Sequence, residues 1–443
     1  MTMKMGRAVK WILCLGMIMM LGACSMPEEL REILTEDEPP VSGQESGGSG
    51  YVEYEGIMDG TAENQNGVPA QNVEEVATLC GNISGLTQEE LNAWNEIGMN
   101  DSSVELIRSE QNGLYYYECM NEQEQLLYAQ ILMILRQSAE NITVSETDGN
   151  RLDKVFQAVL ADHPEIFYVS GYTYTQYLLD GVVQRIAMSG TYTLNPEQVA
   201  EKQQLIEQSV AECIAGLPLG DDFDKLCYLY EYVIDRTEYF LNAPDNQNIC
   251  SVFLGGESVC QGYAKAYQYL CRRAGLEATL VTGTIRESGY GHAWNLVSSN
   301  GAYYYVDVTW GDASYSSGTG MGTAKVPGVN YEYLCITTDE IIKTHEIDTV
   351  VAMPHCIATE DNYYVRRQAE FSGFDEAALQ NLFANADVER QNYVTFRCTS
   401  DAVYEEYRTY LIAEQKIFNY MNSGQGISYA ENPVARTLSF WLP

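Results

Sequence analysis

Cys260-Gln261-Gly262-Tyr263-Ala264-Lys265-Ala266-Tyr267-Gln268-Tyr269-Leu270-Cys271 is the stretch that decides the fold. Tyr263, Ala264, Tyr267, Leu270, Cys271 and Ala274 recur at helical spacing, and Gly275 stands where a helix C-terminal cap is expected. The pattern predicts a helix that begins at Cys260, with Ser258 or Glu257 available to cap its N-terminus. A thiol in a first turn faces backbone N–H groups and the positive end of the helix dipole, and both favour thiolate. Position alone is weak, because most cysteines act as small buried apolar side chains, as Cys271 is expected to do.

The segment downstream changes that balance. Ala278 to Ile285, His292 to Val297 and Tyr303 to Val308 read as three strands. The last two are joined through Ser298-Ser299-Asn300-Gly301, and Asn-Gly is the strongest short hairpin signal. With Asn300 and Gly301 as the turn, Ser299 faces Ala302 and Trp294 faces Asp307, so His292 is the diagonal neighbour of Asp307 on one face. Diagonal neighbours lie about 7–8 Å apart at Cα, within reach of an imidazole–carboxylate hydrogen bond. An aspartate in an apolar strand needs such a partner, because burying it alone is expensive. Ahead of the cysteine, residues 222–239 have the spacing of an amphipathic helix.

Cys260-Gln261-Gly262-Tyr263-Ala264, Gly291-His292-Ala293-Trp294-Asn295 and Val306-Asp307-Val308-Thr309-Trp310-Gly311-Asp312 together resemble the three signature segments of the transglutaminase-like superfamily. Order and spacing follow the family, with 32 residues from Cys to His and 15 from His to Asp. Val308 departs from the pattern, standing where many members have proline. The resemblance implies an α+β fold: a papain-like core in which a Cys-bearing helix packs on an antiparallel sheet, with further α+β regions on both sides. It also implies a catalytic set of Cys260, His292 and Asp307. The thiolate would attack an amide or ester carbonyl, His292 would manage the proton, and Asp307 would orient the imidazole. The oxyanion would fall to the Cys260 N–H and one further donor, with Gln247 and Asn248 as candidates. Trp294 and Trp310 are candidates for walls of the substrate site or for ordinary packing. A segment like Asp162-His163-Pro164-Glu165-Ile166-Phe167-Tyr168 often precedes the core in bacterial, lipoprotein-like members. His163 itself, before a proline at a helix end, reads as structural.

Three classes of function follow. One is a cysteine peptidase or amidase acting on exported protein or cell-wall peptide. The second is acyl transfer to an amine, and the third is a binding module that kept the fold. A complete Cys/His/Asp set argues against the third. Water is the default acceptor and no acceptor site is visible, which favours hydrolysis. No cofactor is implied.

The 443-residue chain carries 62 acidic against 25 basic residues, a net charge of −37, which repels phosphate backbones and excludes nucleic acid as a partner. Lys4, Arg7 and Lys10 precede an apolar run, Trp11 to Ala23, which ends in Leu21-Gly22-Ala23-Cys24. The run is shorter than the ~20 residues of a membrane helix and reads as a secretory leader (1–23). Its end resembles a lipobox, which would make Cys24 the lipidated residue and put the protein, by its lipid anchor only, on the outer face of a bacterial membrane. Residues 24–75 have the Gly/Ser/Pro-rich composition of a tether. An α+β region is expected over 76–215, the catalytic core over 216–346 and a small α+β domain over 347–443. There is no C-x-x-C and no H-E-x-x-H, so no metal site is expected. Neither His345 nor His355 has a strand aspartate in phase with it, which leaves His292 as the base. The Ser/Gly stretch 313–328 lacks the features of a phosphate loop.

Overall fold

The computed structural model describes residues 86–179, 182–312, 329–388, 393–420 and 427–442. The leader, Cys24, the tether, the Asp180-Gly181 turn and the 313–328 stretch lie outside the described residues.

Side-chain caps set the upstream helices. Thr87, Asn100 and Asn121 open α1 (Gln88–Glu96), α2 (Asp101–Glu110) and α3 (Glu122–Arg136), each with a reciprocal bond from the third helical residue. After β1 (Ile142–Val144), α4 (Gly149–Asp162) ends at the His163-Pro164 pair. β2 (Val169–Leu179) and β3 (Val182–Tyr192) form a hairpin, and β1 adds to β3 in an antiparallel sheet ordered β1-β3-β2. Asn195 and Pro196 start α5 (Pro196–Ala215), as their order in sequence indicates.

α6 (Asp222–Arg236) buries Phe223, Leu226, Cys227, Leu229, Tyr230, Val233 and Ile234, the expected stripe. It ends three residues early because Glu238–Tyr239 leaves as β4 and pairs in parallel with β5 (Glu257–Ser258). α7 (Cys260–Arg273) starts at the cysteine and is buried from Gln261 through Cys271, so it is a core helix rather than a surface one. Gly275, at φ +79°, lets the chain leave it through a left-handed turn. Beneath it lie β6 (Ala278–Ile285), β7 (Gly291–Ser299), β8 (Ala302–Val306) and β9 (His345–Ile347), antiparallel throughout and ordered β8-β7-β6-β9. Asn295 ties helix to sheet, its Nδ2 donating to Ala264 O (3.0 Å) and Thr279 O (3.3 Å).

The hairpin turn falls on Asn300 (φ +48°) and Gly301 (φ +86°), with Ser299 opposite Ala302. The ladder then stops at Asn295 opposite Val306, and Asp307 lies one residue beyond the strand that was expected to reach Val308. Asp307 Oδ1 accepts the Thr309 N–H at 3.0 Å, which turns the chain into the helical turn Val308–Gly311.

The described residues fall into two compact units. One runs to Thr309 and resumes over Ile336–Ala358; the other is Trp310–Cys335 and Thr359 onward. The boundary expected between 215 and 216 lies inside the first unit. Gln268 Nε2 donates to Ala161 O (2.7 Å), Tyr116 OH donates to Leu280 O (2.9 Å), and Arg272 pairs with Asp162, so the upstream helices are built onto α7 and β6. In the second unit β10 (Glu370–Phe371), β11 (Tyr393–Cys398), β12 (Ser428–Asn432) and β13 (Thr437–Trp441) are ordered β10-β11-β13-β12. With α8 (Glu376–Val388) and α9 (Asp401–Arg408) they enclose Phe371, Leu379, Phe383, Phe396, Tyr407 and Phe440.

Candidate active site

The loop before α7 presents Cys260. The helix has Val259 at its N-cap and no side-chain cap, which corrects the expectation for Ser258 and Glu257. Ser258 Oγ is held instead by Ser251 Oγ (2.7 Å) and Asn246 O (3.2 Å), and Glu257 is exposed. Gly262 makes this packing possible: a Cβ there would lie 2.0 Å from Ser258 Oγ and 2.8 Å from Asn246 O. The N–H groups of a first turn have no intrahelical acceptor, so an uncapped start leaves donors beside the thiol. Cys260 is partly exposed, and among the described residues no cysteine is in a disulfide.

Behind the thiol the groups are buried. His292, on β7, places Nε2 2.7 Å from Asp307 Oδ2. His345, on the edge strand β9, places its own Nε2 3.1 Å from the same oxygen. The reading that His345 has no aspartate in phase is therefore corrected. β9 joins the sheet beside β6, where Ile285 faces His345 and Gly283 faces His292, so both imidazoles share one face. Trp294 stacks near His292 (centroids 5.9 Å, 24°) and meets His345 edge-on (4.9 Å, 61°). Gly283 admits that ring, since a Cβ there would come within 2.8 Å of Trp294 Cη2 and 1.9 Å of Glu346 O.

The charges sort themselves between these groups. Burial alone would raise the Asp307 carboxyl, but the charge and N–H of His292, with the hydrogen bond from His345, hold it well below the ordinary carboxylate range. Burial pulls the His292 imidazole down; Asp307 and a hydrogen bond with Cys260 outweigh that and push it up to about 10. For His345 burial wins over Asp307, and the neighbouring His292 charge adds to the lowering. Since a carboxylate only accepts, both Nε2 atoms carry hydrogen, which leaves His292 Nδ1 for the thiol. One potential ligand atom from each of His292, Asp307 and His345 lies within 4.8 Å of the others, a grouping that no sequence motif announced.

The remaining candidates separate. Trp294 is fully buried under the imidazoles, so it packs the site and does not wall it. Trp310 belongs to the second unit, where its ring meets Tyr333 (4.9 Å, 80°). Asn248 Oδ1 accepts the Cys250 N–H (2.9 Å), leaving its NH2 as the donating end, while Gln247 is exposed on the same loop. Tyr239, on β4, was missed: its phenol is raised by burial and by the charges of Cys260 and Asp307, so it stands within electrostatic reach of both. His163 bonds Glu165 through Nδ1 (2.6 Å).

The family model Transglut_core, the transglutaminase-like superfamily, matches residues 208–308, a span that holds Cys260, His292 and Asp307 but not His345. The mouse protein named kyphoscoliosis peptidase is 34% identical over 138 residues, covering 27% of this chain and 21% of that protein. The human protein of that name is 37% identical over 105 residues, covering 20% and 16%. The chain thus spans about a fifth or less of these relatives' length. A solved structure described as a TGase shares 16% identity over 42% of this chain and 54% of that one, with a TM-score of 0.24. With its Cys-bearing helix packed on an antiparallel sheet, the chain carries an α+β, papain-like core of the transglutaminase-like superfamily.

Proposed function

We propose that the protein is a surface-anchored, cysteine-dependent amide hydrolase, a peptidase or amidase working through Cys260, His292 and Asp307. One observation carries the reading: a partly exposed thiol at an uncapped helix start is backed by an imidazole–carboxylate pair that is itself buried. Cys260 Sγ, its proton held by His292, attacks the carbonyl carbon and forms a tetrahedral oxyanion. First-turn N–H groups stabilise that oxyanion, with the Asn248 amide as the side-chain candidate. Collapse expels the amine, which takes the proton from His292 and leaves a thioester on Cys260. Water, giving its proton to His292, then releases the acid and restores the thiol. Asp307 stays ionised throughout and supports the positive imidazole.

Hydrolysis and transamidation share the thioester and differ only in whether water or an amine enters second. The peptidase name of the mouse and human relatives supports water. The substrate proposed is an exported protein or a cell-wall peptide. Anchoring through Cys24 is part of the proposal, and Cys24→Ala should move the protein from the membrane fraction to the soluble one.

The test is to incubate the protein with peptides and a tagged primary amine, and to follow products by mass spectrometry. Cys260-dependent cleavage without amine incorporation is the expected result. Amine incorporation at glutamine would replace the hydrolase by a transamidase, and neither product would return the chain to a binding role.

A further inference from the structure

Asp307 is served by two imidazoles, and the mechanism above uses one. The second, His345, lies outside the matched segment and outside the hairpin that brings His292 to Asp307. It is fully buried, and its place is fixed from several sides. Thr344 Oγ1 lies 2.8 Å from its Nδ1, and on the other side Nε2 must carry a hydrogen, because the Asp307 carboxylate it faces can only accept. Its carbonyl accepts Arg286 Nε (3.1 Å), a group that also holds Ile342 O (2.6 Å). The His345 ring lies 5.2 Å from that of His292.

Two plainer roles fit less well. Packing alone does not account for an imidazole whose two nitrogens both have polar partners in a dry site. A metal ligand would need both Nε2 atoms bare, whereas both face one oxygen, Oδ2, and Oδ1 is taken by the Thr309 N–H.

We propose that His345 is a positioning residue for the Cys260–His292–Asp307 set: its Nε2–H clamps Asp307 Oδ2 in the rotamer that meets His292. This rests on the reading of Cys260 as nucleophile. A neutral donor suits the task. A cation at this place would draw the Asp307 charge to itself, whereas a neutral imidazole leaves it for His292, the ring beside the thiol. The ionisable groups facing the cluster are Cys260 on α7, His292 on β7, Tyr239 on β4 and Tyr230 on α6, whose hydroxyl donates to Asp307 O at 3.3 Å. Among these only His292 is raised as a base, while His345 is lowered, so the trio carries its positive charge on one imidazole.

The experiment reads the rate of Cys260 alkylation against pH in the full chain. His345→Leu keeps volume and loses the donor; His345→Gln keeps a neutral donor near the position of Nε2. At about pH 6, His345→Leu should label Cys260 about tenfold more slowly, and His345→Gln should come back to within about threefold of wild type. Equal rates in all three proteins would overturn the proposal, as would equal losses in both variants. Should His345→Leu not fold, long-range proton–nitrogen spectra of the wild-type imidazoles decide. A neutral Nε2–H form at His345 from about pH 5.5 to about 8.5 supports the proposal; an Nδ1–H form or a titrating cation overturns it. Tight zinc binding that is lost in His345→Gln would make the cluster a metal site and also overturn it. If wild-type Cys260 is not the preferred thiol, the nucleophile reading fails first and takes this proposal with it. If it is preferred, the two variants judge His345 alone.

Discussion

The two ends of α7 each meet a fully buried aspartate, and the two are treated in opposite ways. At the N-terminal end Asp307 faces two imidazoles and is held below the ordinary carboxylate range. At the C-terminal end Asp162 accepts from Tyr128 OH (3.0 Å) and Tyr117 N (3.0 Å) and pairs with Arg272, yet burial still raises its pKa. Asp162 spends its lone pairs on backbone and phenol donors, which fix chain segments to each other. Asp307 spends Oδ2 on groups that can move a proton, and one of them reaches a partly exposed thiol. On the proposed mechanism, burial is common to the two acids and what their partners touch sets them apart.

Removing chemistry at the first end should give the largest effect. Cys260→Ser should lower hydrolysis by about ten-thousand-fold or more, with the melting temperature nearly unchanged. Asp307→Asn should cost about a thousandfold or more in turnover by releasing the imidazole from its tautomer. Steady-state rates on one peptide, with calorimetry of each variant, check both.

At the second end the signature should invert. Asp162→Ala leaves Arg272, Tyr128 and the Tyr117 N–H without their acceptor in a buried setting, so unfolding should become easier by about 3 kcal/mol. The folded fraction should still label at Cys260 within about twofold of wild type, as denaturant titration and alkylation would show. A loss of labelling without a loss of stability would break the comparison.

How much of this was legible follows from distance along the chain. His292 and Asp307 meet through a two-residue turn, so alternation and Asn-Gly were enough to bring them together. The strand end was misread because Val308 is β-branched, while the Asp307–Thr309 turn that ends the strand has no hydrophobic signature. His345 sits 38 residues beyond Asp307 on a three-residue strand, too short for a periodic pattern. Had β9 been known to pair with β6, the same parity that joins His292 to Gly283 would have put His345 on that face. The Asp162 network depends on Arg272, 110 residues away. Asp162-His163-Pro164 could be seen as a motif, but its partner could not.

A smaller effect tests how the thiol is presented. Gly262→Ala drives a methyl into Ser258 and should cost about 1–3 kcal/mol, with slower Cys260 labelling as the 246–258 loop backs away. Equal stability and labelling would show that the loop is not seated as described.

The smallest effect is in the pH dependence of stability. Asp307 has a lowered folded pKa, so its contribution is present above the unfolded value of about 3.9 and is lost as pH falls. Asp162 has a raised folded pKa, so stability falls as pH rises just above that value. Asp307→Asn should flatten the acid decline, and Asp162→Asn should remove the loss above about pH 4; each slope is at most about 1.4 kcal/mol per pH unit. Urea titrations from about pH 3 to about pH 6 would read both signs.

The central claim is that Cys260 is reactive because of its partners rather than its exposure, and alkylation across pH with peptide mapping tests it most directly. Cys119 is the more exposed thiol, but partial burial raises its pKa, and burial pushes the Cys356 thiol up to about 11. The account predicts that at about pH 6 iodoacetamide modifies Cys260 ahead of Cys119, Cys356 and the buried Cys271, and that His292→Ala removes this preference. Labelling that follows exposure, with Cys119 first and Cys260 no faster than Cys356, would contradict it.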